Sequence, residues 1–259
     1  MALSRRFFLA LLLSGALLMG SADAAVKYRA APEVFWFSIF TNGKRSGFGR
    51  GEYTRGEAAP YQFQNLILMD LPGGMRVAER SWWEFEPDLK PANFFRKTIA
   101  WKAGQSFTNT VDGLYDYPRK KLAVEYAEFG ANEKVDIDLP ANHVARYTQN
   151  LVLAASKLKP GMTFNFHTFS IKDRRFVDQQ IKVKAFDKAL NAWRLEGTSE
   201  EAPGSVSTTW FQTASAAHPN GWTVKSTQPA VNQFVIELRP ASRAQAIEGY
   251  EKEAAALGI

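Results

Sequence analysis

Three observations predict an all-β protein. Apolar and polar residues alternate in short runs, turn residues separate those runs at regular intervals, and helical spacing is confined to two places. The predicted architecture is a large antiparallel open barrel or β-spiral with one internal helix and a C-terminal helix. Of the 259 residues 46% are hydrophobic and 22% charged, enough apolar material for a core of that size without disulfides, which the lack of cysteine rules out. No low-complexity linker, composition break or internal repeat divides the chain, so residues 25–259 read as a single β-rich domain.

The elements follow in order. Glu33 to Phe40 is apolar on both faces and runs into Asn42-Gly43, a two-residue hairpin signal, with the polar stretch Arg50 to Arg55 returning. Tyr61, Phe63, Ile67, Met69 and Leu71 alternate until Pro72-Gly73-Gly74. Arg76 to Phe85 then sets Val77, Trp83 and Phe85 against Arg76, Arg80 and Glu84. After a loop from Glu86 to Pro91, the series continues through Asn93–Lys102, Lys121–Phe129 and Lys134–Leu139. In the last of these Val135, Ile137 and Leu139 mark one buried face. Val144, Tyr147, Leu151 and Val152 recur at helical spacing, so a helix is expected from Ala141 to Ser156, with Asn142 as its cap and Pro160-Gly161 beyond its end. Strands are expected again at Met162–Asp173, Arg175–Phe186, Ala192–Gly197, Val206–Thr213, Trp222–Gln228 and Val231–Arg239. Ser242 to Leu257 has helix propensity and is expected to fray or to cap an open edge. The total is about a dozen strands and two helices.

Arg5 and Arg6, an apolar run from Phe7 to Met19, and the A-x-A ending Ala22-Asp23-Ala24 form an export signal with cleavage after Ala24. The run is too short for a stable membrane span, and no later segment reads as a transmembrane anchor. Ser4-Arg5-Arg6-Phe7 also resembles the twin-arginine pattern, although the strongly apolar run fits the general secretory route better. Either route leads to the periplasm.

Catalytic signatures are missing: there is no G-x-S-x-G, no H-E-x-x-H, no P-loop and no helix-opening G-x-G-x-x-G. Gly47-Phe48-Gly49-Arg50-Gly51 follows a hairpin turn rather than preceding a helix, which argues against a phosphate cradle. The three histidines, His143, His167 and His218, are far apart in sequence, so no metal site and no cofactor is predicted. Glu84/Glu86 and Asp136/Asp138 interleave with apolar residues and read as solvated strand faces. Arg119-Lys120-Lys121 and Lys172-Asp173-Arg174-Arg175 read as turns, and Lys182/Lys184 as an exposed face. Export argues against nucleic acid as a partner, and contact with an anionic lipid surface suits these clusters better.

The aromatics are the positive signal, with 7 Trp, 8 Tyr and 19 Phe. They fill the core of a large β-structure, or they line the extra interior that a curved, incompletely closed sheet encloses. On the second reading the ligand-binding residues are Trp83, Phe85, Phe164, Phe166, Trp193 and Trp210, all on apolar strand faces.

The order of features is also familiar. An aromatic strand leads into Asn42-Gly43-Lys44 and Gly47, Leu139-Pro140 precedes the helix, Leu158-Lys159-Pro160-Gly161 follows it, and Asn220-Gly221-Trp222 comes near the end. This resembles exported domain-of-unknown-function families of the Gram-negative envelope, including the envelope-integrity EipB-like group. Leu139-Pro140-Ala141-Asn142-His143 is similar to that group's Pro-x-x-His stretch, while the group's cysteine pair is absent here. The resemblance implies a spiral or open-barrel fold, a role in envelope maintenance and no catalysis. The expected function is therefore non-enzymatic binding of a lipid, lipoprotein or peptide through an apolar concave surface. Two alternatives stand beside it: an envelope hydrolase using carboxylates with His143 or His167, and an assembly partner of another envelope protein.

Overall fold

Residues 28–128, 130–229 and 235–259 are described by the computed structural model; the expected export signal lies outside them. A first meander comprises β1 (Glu33–Thr41), β2 (Lys44–Thr54), β3 (Tyr61–Leu71), β4 (Met75–Phe85), β5 (Pro91–Lys102), β6 (Gln105–Asp116), β7 (Lys121–Glu128) and β8 (Ala131–Asp138). After α1 (Gln149–Ala155), a second comprises β9 (Thr163–Ser170), β10 (Arg175–Asp187), β11 (Ala192–Ser199), β12 (Ser207–Gln212), β13 (Trp222–Pro229) and β14 (Val235–Ala241). The chain ends in α2 (Arg243–Ile247) and α3 (Glu251–Ala256). Within each meander neighbours in sequence pair antiparallel, as period-two segments joined by tight turns must. In the first turn Asn42 and Gly43 both take positive φ, 50° and 77°.

One ladder unites the two meanders. β1 pairs with β14, Trp36 opposite Ala241 and Thr41 opposite Ile236, giving a 14-stranded sheet whose edges are β8 and β9. Those edges share no ladder, so the barrel is not closed by hydrogen bonds. Side chains span the gap instead. Phe169 and Ile171, with Phe176, pack on Phe94, Tyr115, Leu122 and Tyr126, and Arg174 in the β9–β10 turn reaches Glu128 and Glu133. His143 makes an isolated bridge to His167, with the Val144 N–H donating to the His167 carbonyl at 2.9 Å. The fold is thus all-β and barrel-like, as expected.

Several elements differ from expectation. The internal helix is only seven residues long, and Asn142 does not cap it. Asn142 and Tyr147 take positive φ, 60° and 69°, and the backbone of this segment bonds to His167 and Leu89 rather than to itself. Partners on the β9 edge and the β4–β5 loop compete successfully with a short helix, whose first turn is costly to nucleate. Strand β6 was not expected. Its buried face reads Val111, Gly113, Tyr115, and the glycine in the middle hides the apolar alternation. The C-terminal segment is two short helices split at Gly249 (φ 78°), and it neither frays nor caps an edge. Ser242 and Gln245 form a capping box, and Ala246, Tyr250 and Ala254 cover Phe48, Leu66, Leu68 and Ala78 on the outer face of the sheet's middle.

α1 lies inside the roll. Leu151 packs with Tyr53, Phe63, Phe85 and Leu89 of the first meander, and Leu153 packs with Val183, Leu195 and Phe211 of the second. Each buried leucine contributes about 1.5–3 kcal/mol of transfer free energy, so a seven-residue helix joins the two halves of the core.

Candidate functional site

Beside α1 the inner face does not fill. A cavity of about 490 Å³ is walled by Phe35, Phe37 and Ile39 of β1, Phe63, Ile67 and Met69 of β3, Trp222 of β13, and Ile236, Leu238 and Pro240 of β14. Tyr147, Gln149 and Asn150 at the start of the helix form its floor. A volume in the about 300–1,000 Å³ range, mostly apolar with a few polar groups, is that of a small-molecule site.

The glycine run explains why the hollow is open. Across the first hairpin Phe35 pairs with Gly51 and Phe37 with Gly49. A Cβ on either glycine would overlap the facing phenyl ring, so both rings lie down on the bare β2 backbone instead of standing into the interior. Trp222 meets Phe35 edge-on, 6.1 Å between centroids, and is held there by the His218 ring, stacked at 4.1 Å between centroids. His218 is anchored in turn by Glu33 at 3.0 Å, and Asn220 ties the same turn to Ala31 and Glu33.

A second cavity, of about 250 Å³, adjoins the first, and Arg146 and Tyr147 line both. Its other walls are Glu79, Ser81, Trp83, Arg96, Ile171, Lys172 and Glu201. Arg146 donates both terminal nitrogens to the Glu201 carboxylate, at 2.7 and 2.9 Å. Burial pushes the Glu201 carboxyl upward, but hydrogen bonding and charge from Arg146 outweigh it and hold the group below its ordinary value. Burial also dominates at the Tyr147 phenol, raising it against the pull of Arg146. Two carboxylates therefore gather in this cavity, and no histidine lines it.

The six aromatics expected to bind ligand are dispersed. Trp83 (1% exposed) stacks on Phe94 with centroids 4.4 Å apart in the core under the sheet gap. Trp83 also borders the smaller cavity. Phe85 (0%) belongs to the cluster around Leu151, Phe166 (6%) is buried on β9, and Phe164 and Trp193 pack around Leu153. Trp210 donates its indole N–H to Asp187 and lies under Lys225. None of the six lines the large cavity. The residues that do were legible as Phe-x-Phe facing Gly-x-Gly across one hairpin, a pattern local composition does not weigh.

Other sequence candidates resolve individually. Glu84 is not on a solvated face: it is 2% exposed, and its carboxylate accepts from the Glu57 and Ala58 N–H groups and from Gln62. Loop residues 55–60 fold over it, a contact no strand period announces. Asp136 and Asp138 do face solvent, paired with Arg119 and Lys121. His143 and His167, far apart in sequence, flank Phe176 at centroid distances of 5.4 and 5.6 Å. Nδ1 of His143 lies 2.8 Å from the Pro140 carbonyl oxygen, and His167 lies 2.6 Å from Asp178. Among the described residues no three His, Cys, Asp or Glu side chains gather where they could hold a metal ion, and no helix is long and apolar enough to cross a membrane.

No protein-family model matches the chain, and no curated protein matches it. A solved structure does. The crystal structure of a β-barrel-like protein of domain of unknown function DUF1849 from Brucella abortus superposes with a TM-score of 0.54 at 13% identity. The match covers 83% of this chain and 97% of that one. The two share a fold. That agrees, at the level of fold, with the domain-of-unknown-function families that the sequence resembles.

Proposed function

We propose that the protein is an exported, non-catalytic binding protein of the periplasm that holds an apolar envelope molecule, a lipid or the acyl part of a lipoprotein, in the 490 Å³ hollow beside α1. The observation that carries this reading is the wall of Phe35 and Phe37 laid flat on Gly51 and Gly49. Glycine in a strand interior costs stability, and here the cost keeps open a space that larger side chains would fill. Apolar surface left beside such a space favours a molecule that removes it from water. The extended form of a peptide suits a sheet edge better than an interior hollow, so an acyl chain is the favoured occupant. Native mass spectrometry of the protein purified from its own envelope tests this. The expected spectrum shows a bound lipid mass that is lost when Ile67→Trp fills the cavity. A spectrum of bare protein from gently handled membranes and periplasm contradicts it.

A further inference from the structure

The smaller cavity is not explained by an apolar ligand. It is lined by charges, half-buried at Glu79, Arg96 and Glu201, exposed at Lys172 and deepest at Arg146, and the more such a charge is buried the more it costs unless something answers it. Arg146 is answered by Glu201. Arg96 and Glu79 are not: none of the ion pairs among the described residues uses either one, and both line the space. Ser81 stands directly opposite Arg96 in the β4–β5 register and directly opposite Asn65 in the β3–β4 register. The Ser81 hydroxyl is buried (residue 2% exposed) with no hydrogen-bond partner. A buried hydroxyl without a partner, beside an unpaired guanidinium, is an incomplete site. Tyr147, which separates this space from the apolar hollow, holds φ 69° in a non-glycine residue, a strain of the kind stored at ligand clamps.

We propose that the occupant of the hollow is an amphiphile with a single negatively charged, oxygen-bearing head, and that this head sits in the side cavity on Arg96, Ser81 and Lys172. This rests on the reading of the apolar cavity as a lipid site and adds the head-group chemistry. The charge count sets the sign. Arg96, Arg146 and Lys172 line the space with Glu79 and Glu201, one more cation than anions. Lys172 is exposed and donates to the Glu201 carbonyl at 3.4 Å, and Arg146 is taken up by Glu201, so Arg96 is the cation turned to a ligand. A guanidinium and a hydroxyl on adjacent strands offer N–H and O–H donors to one oxyanion, while Glu79, one register row away opposite Thr98, disfavours a second negative charge. A fatty-acid carboxylate and the phosphodiester of an anionic lysophospholipid both satisfy this chemistry.

The test uses delipidated full-length protein titrated with palmitate, lysophosphatidylglycerol, hexadecanol and hexadecylamine, with thermal unfolding of each variant as a check on its fold. At least one anion is expected to bind about tenfold or more tighter than hexadecanol, with the amine weakest, because a charge-assisted hydrogen bond is at stake. Palmitate ahead of lysophosphatidylglycerol identifies a fatty acid as the source, and the reverse order a phospholipid. Arg96→Gln is expected to abolish the preference for the anion without changing hexadecanol affinity, Arg96→Lys to restore part of it, and Ser81→Ala to reduce it. Equal binding of anion and alcohol, or a preference untouched by folded Arg96→Gln and Ser81→Ala, overturns the head-group site and leaves the apolar cavity standing. No binding by any of the four overturns the cavity reading, and the head-group site falls with it.

Discussion

At Glu84 the chain places a carboxylate where water is excluded and surrounds it with three N–H donors, two from the backbone of residues 57 and 58 and one from Gln62. Glu84→Gln keeps the shape but turns an N–H₂ toward those donors, and is expected to cost about 1–3 kcal/mol in urea denaturation. An unchanged midpoint would mean the loop is held by something else. His143 makes a second residue-scale prediction. Burial chiefly lowers its pKa from 6.5, helped by His167 and Lys90 and opposed by the Pro140 carbonyl. The folded ring is therefore neutral where the unfolded ring already takes a proton. Stability from this group is complete above about pH 6.5 and is lost as the pH falls from there toward the lowered folded value. Denaturation midpoints measured between pH 7.5 and 5 are expected to fall on acidification, and His143→Phe, which suits a site lined by Tyr115, Tyr117 and Phe176, is expected to flatten that slope.

At the level of elements the first hairpin carries the site, because β2 supplies bare backbone where β1 supplies rings. Gly49→Ala is expected to drive the Phe37 ring off the strand, to cost about 1–3 kcal/mol, and to weaken lipid uptake together with stability. Uptake and melting temperature that match the wild type would show that the ring lies elsewhere. Most strands were legible because alternation is a local signal; Lys134 to Leu139 shows it cleanly. What escaped was masked by the same chemistry that makes the site. Gly113 takes the Phe94 ring as Gly49 takes Phe37, and so erased the apolar beat of β6. The expected helix shrank because Val144, Tyr147 and Leu151 are buried in three different ways, by an edge bridge, a strained turn and a true helical turn, although their spacing is helical.

Over the whole molecule, closure depends on side chains rather than on a final ladder. β8 leaves its outer edge to Glu133, Lys134, Asp136 and Asp138, charges that discourage pairing with another chain, while segment 139–148 packs beside β9. The pairing of β1 with β14 joins residues from opposite ends of the chain, and local periodicity does not say which strands meet there. The same limit applied to the site. The chain's aromatic load and curved sheet pointed to a hollow, but which residues face it depended on that ladder, which sets Pro240 opposite Phe37 and Leu238 opposite Ile39 and brings Trp222 of the next strand edge-on to Phe35. The central claim is that this hollow accepts an acyl chain. Titrating the delipidated protein with dibromostearate while following tryptophan fluorescence tests it most directly, since Trp222 lies in the wall. Saturable quenching at about one equivalent, much reduced in Trp222→Phe, is the predicted result; fluorescence that stays constant, or quenching that never saturates and is indifferent to Trp222, would contradict it.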